Sequence, residues 1–240
     1  MISSIIVNEV SKSFGKKIVL TSISLTIGPG QIYGLIGPSG SGKTTLVKLI
    51  VGMDRPSCGD IHVLGTAVPN LNLLQKIGYM AQADALYTDL TGKENLTFFA
   101  SLFKLKKEVQ KKRIAYAAEL VHLSNELNKK VHTYSGGMKR RLSLAIALIQ
   151  DPEVLILDEP TVGIDPALRK SIWAELYRLK NQGKTILVTT HVMDEAEKCD
   201  RLAMIRDGAL LTSGSPSELK KAYGITSLEE VFLQAGGEMK

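Results

Sequence analysis

Long hydrophobic runs are missing from this 240-residue sequence. The longest, Leu144 to Ile149, falls far short of the ~20 apolar residues that cross a bilayer, so no membrane-spanning helix is expected. The first ten residues, MISSIIVNEV, lack a basic flank leading into a long apolar stretch, and no signal peptide is expected there. Cysteine is scarce as well. Cys58 and Cys199 are the only two and have no metal-like spacing, which excludes a zinc module and suits a reducing compartment. Internal repeats and low-complexity segments are also absent, which argues against a repeat architecture.

What is present is enough apolar material for a sizeable core. Hydrophobic residues make up 44% of the chain, so it can fold as one large domain or as a domain with subdomains. The net charge of +6 could suit an anionic partner such as nucleic acid or a lipid surface. Much of the excess is local, however. Lys104, Lys106, Lys107, Lys111, Lys112 and Arg113 crowd one stretch, interrupted among acids only by Glu108, and read most simply as a solvated helix face.

Strand-like and helix-like stretches alternate, which points to an α/β fold. Ile32 to Ile36 is a strand candidate, and the helical stretch TTLVKLIVG follows it until Gly52 and Pro56. Val154 to Leu157 and Thr185 to Thr189 are apolar runs suited to buried parallel strands. Between them, Asp165-Pro166 opens a helix with Leu168, Ile172, Leu176 and Leu179 on one face, ending near Gly183, which makes a strand-helix-strand crossover. The stretch from about Leu90 to Ile149 is mainly helical and opens with Thr91 and Glu94 as a capping box. The residues before Gly30 and those from Gly59 to Val68 suggest short antiparallel strands. The expected organisation is a catalytic core with a β subdomain over 1–84 and 150–225, a helical subdomain over 85–149 and a tail over 226–240.

Chemistry enters at Gly37-Pro38-Ser39-Gly40-Ser41-Gly42-Lys43-Thr44-Thr45. A G-x-x-x-x-G-K-T sequence between a strand and a helix is a phosphate-binding loop: glycines let backbone N–H groups converge on phosphate oxygens, and the helix N-terminus favours the anion. Lys43 is the candidate for the β- and γ-phosphates, and the Thr44 hydroxyl for Mg²⁺. Farther along, the apolar run from Val154 delivers Asp158 and Glu159 to the carboxyl edge of a strand, where open α/β sheets bind ligands. Taken alone, two acids ending a strand are more often a solvated edge. Beside a phosphate loop, Asp158 reads as a Mg²⁺ holder, acting through water or from outside the ion's direct ligands, and Glu159 as general base for the attacking water. A third motif, Tyr134-Ser135-Gly136-Gly137-Met138, places a capping serine and two glycines at the start of a helix, forming a second anion-binding N-terminus.

The order of phosphate loop, Gln82, SGG, Asp158-Glu159, Asp165 and His191 resembles the ATP-binding subunit of an ABC transporter over essentially the whole chain. The resemblance implies a P-loop NTPase core with a parallel sheet, an antiparallel β subdomain and an inserted α-helical subdomain. It implies a subunit that binds ATP and Mg²⁺ and forms a sandwich dimer, in which Ser135, Gly136 and Gly137 of one copy contact the γ-phosphate held by the other. It further implies that Gln82 senses Mg²⁺ and water, that His191 contacts the γ-phosphate and that Asp165 couples the two sites. Phe14 would stack on adenine, with a core-packed phenylalanine as the competing reading. The implied partners are a second ATP-binding subunit, as a homodimer, and a separately encoded transmembrane permease, with the chain cytoplasmic and peripheral on the inner face of the cell membrane. Tyr134 and Met138 stand where the family commonly has Leu and Gln, and Ile164 replaces the usual Leu, yet none of these removes a phosphate-contacting group.

The YSGGM wording, the segment ENLTFFASLFKL and the terminal SLEEVFLQ resemble the bacterial drug, polyketide and lipid export branch. An import subunit would share every catalytic residue, so that alternative stays open. A nucleic-acid-acting member would fit the basic charge, but those members carry coiled coils, zinc modules or two cassettes per chain, so no nucleic acid is expected as partner.

Overall fold

Period-two alternation builds the centre of the molecule. In the computed structural model, which describes residues 3–237, strands β3 (Ile32–Ile36), β7 (Val154–Asp158) and β8 (Thr185–Thr190) are buried along their whole length. Leu155, Leu157, Ile186, Val188, Ile32 and Ile36 point into one core; Val154, Ile156, Leu187, Tyr33 and Leu35 point into the other. Burial on both faces is why these strands read as continuous apolar runs.

The six-stranded sheet runs β10 (Ala209–Gly214), β9 (Arg201–Arg206), β3, β8, β7, β6 (Ile77–Met80). Every pairing is parallel except that of β9 with β10. These two form a hairpin over Asp207-Gly208, where both residues have positive φ, the conformation that the right-handed twist of a two-residue turn demands. The second sheet is antiparallel, in the order β2 (Lys17–Ile27), β1 (Ile5–Phe14), β4 (Cys58–Val63), β5 (Thr66–Ala67). Its first two strands, of 10 and 11 residues, are longer than the short strands expected, and their pairing is broken by register shifts, including one between Val7 and Val10. A bulge bends a strand without ending it, so these strands run longer than the short ones expected before Gly30.

Helix α1 (Lys43–Val51) leaves the end of β3 and buries Leu46, Val47, Leu49 and Ile50 between the two sheets. Helices α2 (Gly92–Leu102), α3 (Lys107–Leu120) and α4 (Gly136–Leu148) form the helical region. The capping box forms as the sequence suggests: Thr91 Oγ1 accepts from Glu94 N, and Glu94 Oε2 accepts from Thr91 N at 2.7 Å. The five lysines of the basic stretch are exposed, but Arg113 turns inward, where its guanidinium donates to the carbonyl oxygens of Leu148 and Ile149 at the end of α4. Helix α4 is the long buried one, packing against α2 and α3 on one side and β6 and β7 on the other. After β7, α5 (Pro166–Asn181) crosses back to β8, and α6 (Met193–Ala196), α7 (Pro216–Tyr223) and α8 (Leu228–Ala235) close the chain. The tail expected over 226–240 thus carries a helix, and residues 238–240 lie outside the described residues, as do Met1 and Ile2. Among the described residues, no helix is long and apolar enough to cross a membrane.

Candidate functional site

Parallel strands deliver their carboxyl ends to one edge of the sheet, and the chemistry-bearing residues collect there. After β3 the chain turns through Gly37 to Gly42 into α1, whose N-cap, Gly42, has φ of 103° and offers no side chain to satisfy the first N–H groups. A Cβ at Gly42 would lie 2.6 Å from Leu20 Cδ2, and one at Gly37 would lie 2.0 Å from Ile205 O, so the loop tolerates no side chain at either position. No acid sits in the first turn of α1, which keeps the helix terminus attractive to an anion. A cavity of about 250 Å³ lies over this turn, lined by Val19, Ser39, Gly40, Gly42, Lys43, Thr44, Thr45, Gln82 and Glu159.

Lys43 is buried, and its ammonium donates to Gly37 O at 2.7 Å and Pro38 O at 2.9 Å. Burial pushes its pKa below the ordinary lysine value, while Glu159 and Asp158 work in the opposite direction. Asp158 ends β7 with no exposure to solvent. One carboxylate oxygen accepts from the Thr189 hydroxyl; the other, Oδ2, is buried without a hydrogen-bond partner in the protein. The Ser41 hydroxyl in the phosphate loop is buried and unpartnered in the same way. Two orphaned oxygens at one anion-binding edge are what a site for a metal-nucleotide leaves when only protein groups are counted. The oxygen donors here are a hydroxyl, a carboxylate and an amide, from Thr44, Asp158 and Gln82. Among the described residues no cluster of three or more His, Cys, Asp or Glu could hold a metal by itself. That set fits Mg²⁺, which is usually held by one or two protein groups together with phosphate oxygens.

Glu159 lies one residue past the strand with φ of 53°, a left-handed backbone rare outside glycine and stored preferentially at functional sites. Its N–H is secured by Thr189 O and by Thr189 Oγ1 at 3.0 Å. The carboxylate meets Gln82 Nε2 at 3.5 Å and His191 Nδ1 at 3.2 Å. Two residues from two strand ends, Gln82 after β6 and His191 after β8, therefore converge on the acid that follows a third strand, β7.

The remaining candidates lie elsewhere. Ser135 caps α4 by accepting from Met138 N, and Ser135 and Gly136 are exposed. Together with Gly137, they are not among the residues lining the cavity. A Cβ on Gly136 would meet nothing within 4 Å, whereas one on Gly137 would lie 3.2 Å from Gly163 O, so the SGG turn sits beside the loop that leads to Asp165. Asp165 caps α5 through Leu168 N at 3.0 Å. Phe14 is 53% exposed at the end of β1 with the Lys12 ammonium 4.8 Å from its ring centre; it is neither core-packed nor in the cavity wall. Tyr134, which departs from the usual family wording, is buried and donates its hydroxyl to Glu126 O.

Sequence reasoning missed Val19, Thr189 and above all Arg140, whose guanidinium donates to Gln82 O and Glu159 O. A signal for Arg140 was available: it stands four residues before Leu144, on the buried stripe of α4, where a solvated arginine does not belong.

The family described as ABC transporter matches residues 20–162. A Nod factor export ATP-binding protein I from Burkholderia orbicola is 43% identical over 88% of this chain and 70% of that protein. A protein of the same name from Rhizobium johnstonii is 46% identical over 88% of this chain and 68% of its own length. Among solved structures, an ATP-binding subunit of an ABC transporter superimposes with a TM-score of 0.91 at 25% identity, covering 98% of this chain and all of that one. A dimeric ATP-binding cassette in a post-hydrolysis state, bound to ADP and Pi, gives a TM-score of 0.81 at 28% identity over 88% of this chain and 98% of that one.

Proposed function

We propose a function from one premise: this chain belongs to the ABC transporter family, as an ATP-binding subunit that hydrolyses ATP. Two copies close face to face on two nucleotides, and the cycle drives export through a separately encoded permease. The observation that carries the reading is the meeting of Gln82 and His191 on Glu159, over a cavity floored by Lys43 and Thr44. The export names of the relatives favour export over import.

In this mechanism the phosphate loop binds first. The N–H groups of residues 39–45 and the ammonium of Lys43 hold the phosphate chain, and the Thr44 hydroxyl, Asp158 and Gln82 supply the oxygens for Mg²⁺. The ion, when bound, neutralises charge that develops on the phosphate oxygens. Glu159 accepts the proton of the attacking water, and His191 and Gln82 hold its carboxylate from two sides. Phe14 presents its ring for stacking on the base. The exposed Ser135-Gly136-Gly137 turn completes the site of the other copy, with Asp165 in the loop between the two nucleotides.

The surface for the permease is a groove of about 230 Å³ lined by Met53, Ala81, Ala83, Ala85, Leu86 and Phe99. It opens directly after Gln82 and is flanked by exposed Tyr87 and Phe98, whose rings lie 4.8 Å apart. This reading places the chain on the cytoplasmic face of the membrane, held there by its partner.

Glu159→Gln tests the site. It keeps size and polarity but removes the basic carboxylate, and general-base assistance is worth about 10²–10⁴ in rate. Hydrolysis should fall by that factor, and size-exclusion chromatography with Mg-ATP should show a stable dimer where the parent shows a transient one. Hydrolysis at the parental rate would remove Glu159 from the role of base.

A further inference from the structure

Beyond the nucleotide-contacting residues, we infer that Arg140 is a positioning residue that ties the SGG helix of each copy to Gln82 and Glu159 of the same copy; this rests on the composite-site reading above. Arg140 is 8% exposed. One nitrogen, Nη1, donates to Ala81 O at 2.7 Å and Gln82 O at 2.8 Å. The other, Nη2, donates to Asp158 O and to Glu159 O, the latter at 2.7 Å. Asp84, 3.8 Å from Nη1, is the nearest acid, and the Ser143 hydroxyl holds it in place at 2.8 Å.

The placement has a structural logic. Strands β6 and β7 pair in parallel as far as Met80 with Leu157, and the four carbonyls in question belong to the residues just beyond that point. Where the ladder ends, the two chains would separate and their carbonyls would need water. Arg140 replaces the ladder with a planar fork of donors, and a buried full charge is retained only where its donors are so satisfied. Burial pushes the guanidinium pKa down, while Asp84, Asp158 and Glu159 act to hold the charge.

Arg140 is also the fifth residue of α4, whose first residues are Gly136 and Gly137. The SGG turn is thus on the order of 6 Å from it along the same rigid helix. When that turn engages the nucleotide of the other copy, any shift of α4 is passed through Arg140 to the backbone of Gln82 and Glu159. Engagement on one side then sets the base on the other. No other side chain among the described residues is seen to bond both segments through their backbone.

The experiment is a kinetic double-mutant cycle on the purified full chain, with Arg140→Lys, Gln82→Ala and the double variant, and MgATP affinity of the monomer measured alongside. Lysine keeps the charge but loses the planar fork. Arg140→Lys should lower kcat on the order of 10²-fold, the cost typical of a misplaced catalytic group, with monomer affinity for MgATP within about threefold of the parent. In the Gln82→Ala background the same change should cost much less. Equal cost in both backgrounds, or a loss of affinity that matches the loss of kcat, would overturn the inference. Should Arg140→Lys fail to fold, Ser143→Ala, which frees Asp84 beside the guanidinium, replaces it in the same cycle and is judged by the same two outcomes. The Glu159→Gln dimer serves as control: its absence refutes the composite site, whereas a trapped dimer with independent Arg140 and Gln82 effects refutes only the tie.

Discussion

Two of the helices that open on glycine, α1 and α4, have opposite surroundings. Helix α1 begins behind Gly42, in a loop with no room for a side chain at Gly37 or Gly42, and its first turn lies under a cavity walled by residues of the same chain. Helix α4 begins with Gly136-Gly137 behind the Ser135 cap, with Ser135 and Gly136 exposed and none of the three among the residues that line that cavity. Neither has an acid in its first turn or at its cap, whereas α2, α3, α6, α7 and α8 have one in the first turn and α5 has Asp165 as its cap. A helix N-terminus carries about half a positive charge, and withholding the usual acid leaves it free for an external anion. The same device therefore appears once inside a finished pocket and once on an open surface. Under the proposed function the contrast has a reason: the second terminus serves the nucleotide of another copy, and the dimer would cover it.

The sharpest way to break that comparison is to disable each terminus in turn. Lys43→Ala removes the buried ammonium of the first and should abolish detectable ATP binding by the monomer, measured by isothermal titration. Ser135→Arg should leave that binding close to the parental value and abolish ATP-dependent dimerisation, followed by light scattering. A monomer in which Ser135→Arg weakens ATP as much as Lys43→Ala would place both termini in one site and end the distinction.

Alanine at the two glycines sharpens it further. Gly42→Ala forces a side chain into a φ of 103° and against Leu20, a strain of about 1–3 kcal/mol even before the phosphate is considered. Gly136→Ala meets open space in a helical backbone and should stabilise the monomer by about 0.5–1 kcal/mol, since glycine is a poor helix residue. Thermal melts should move in opposite directions, while both variants lose hydrolysis. A destabilised Gly136→Ala would mean that the turn is already packed within its own copy.

A smaller effect is expected at the groove after Gln82. Ala85→Glu should leave ATP binding and basal hydrolysis of the isolated chain near parental levels and uncouple transport in the assembled complex, as read by substrate efflux. Loss of ATP binding would place Ala85 in the core instead. Smallest of all, Thr91→Ala removes a side-chain cap far from either terminus and should cost about 1 kcal/mol in a urea melt without changing ATP affinity.

The legible parts of this protein are those whose physics is local. The glycines of the phosphate loop, the Asp165-Pro166 helix start and the Thr91-Glu94 box each declare a backbone conformation within a few residues, and all of these elements form. The apolar runs at 154–157 and 185–189 announce burial on both faces, and they form interior strands of the sheet. Strands β9 and β10 escaped notice although Asp207-Gly208 signals a hairpin turn, because the flanking runs are short and end in charge or serine. Strand β6 is four residues long with a glycine inside, and only its pairing with β7 makes it a strand. Local pattern carries no information about a neighbour 70 residues away.

Sequence alone determined the candidates for phosphate chemistry and the order in which they occur, since glycine, lysine and paired acids in those spacings leave few alternatives. Tertiary structure decided which of them meet. Gln82, Glu159 and His191 are far apart along the chain, and Gln82 and His191 come within 3.5 Å of Glu159 only because parallel strands deliver their ends to one edge. Arg140 reads in sequence as one of three consecutive basic residues and becomes a buried clamp only when β6 and β7 present four carbonyls to it. A charge finds its partners by position in space, and that position depends on every strand and helix that carries the backbone there.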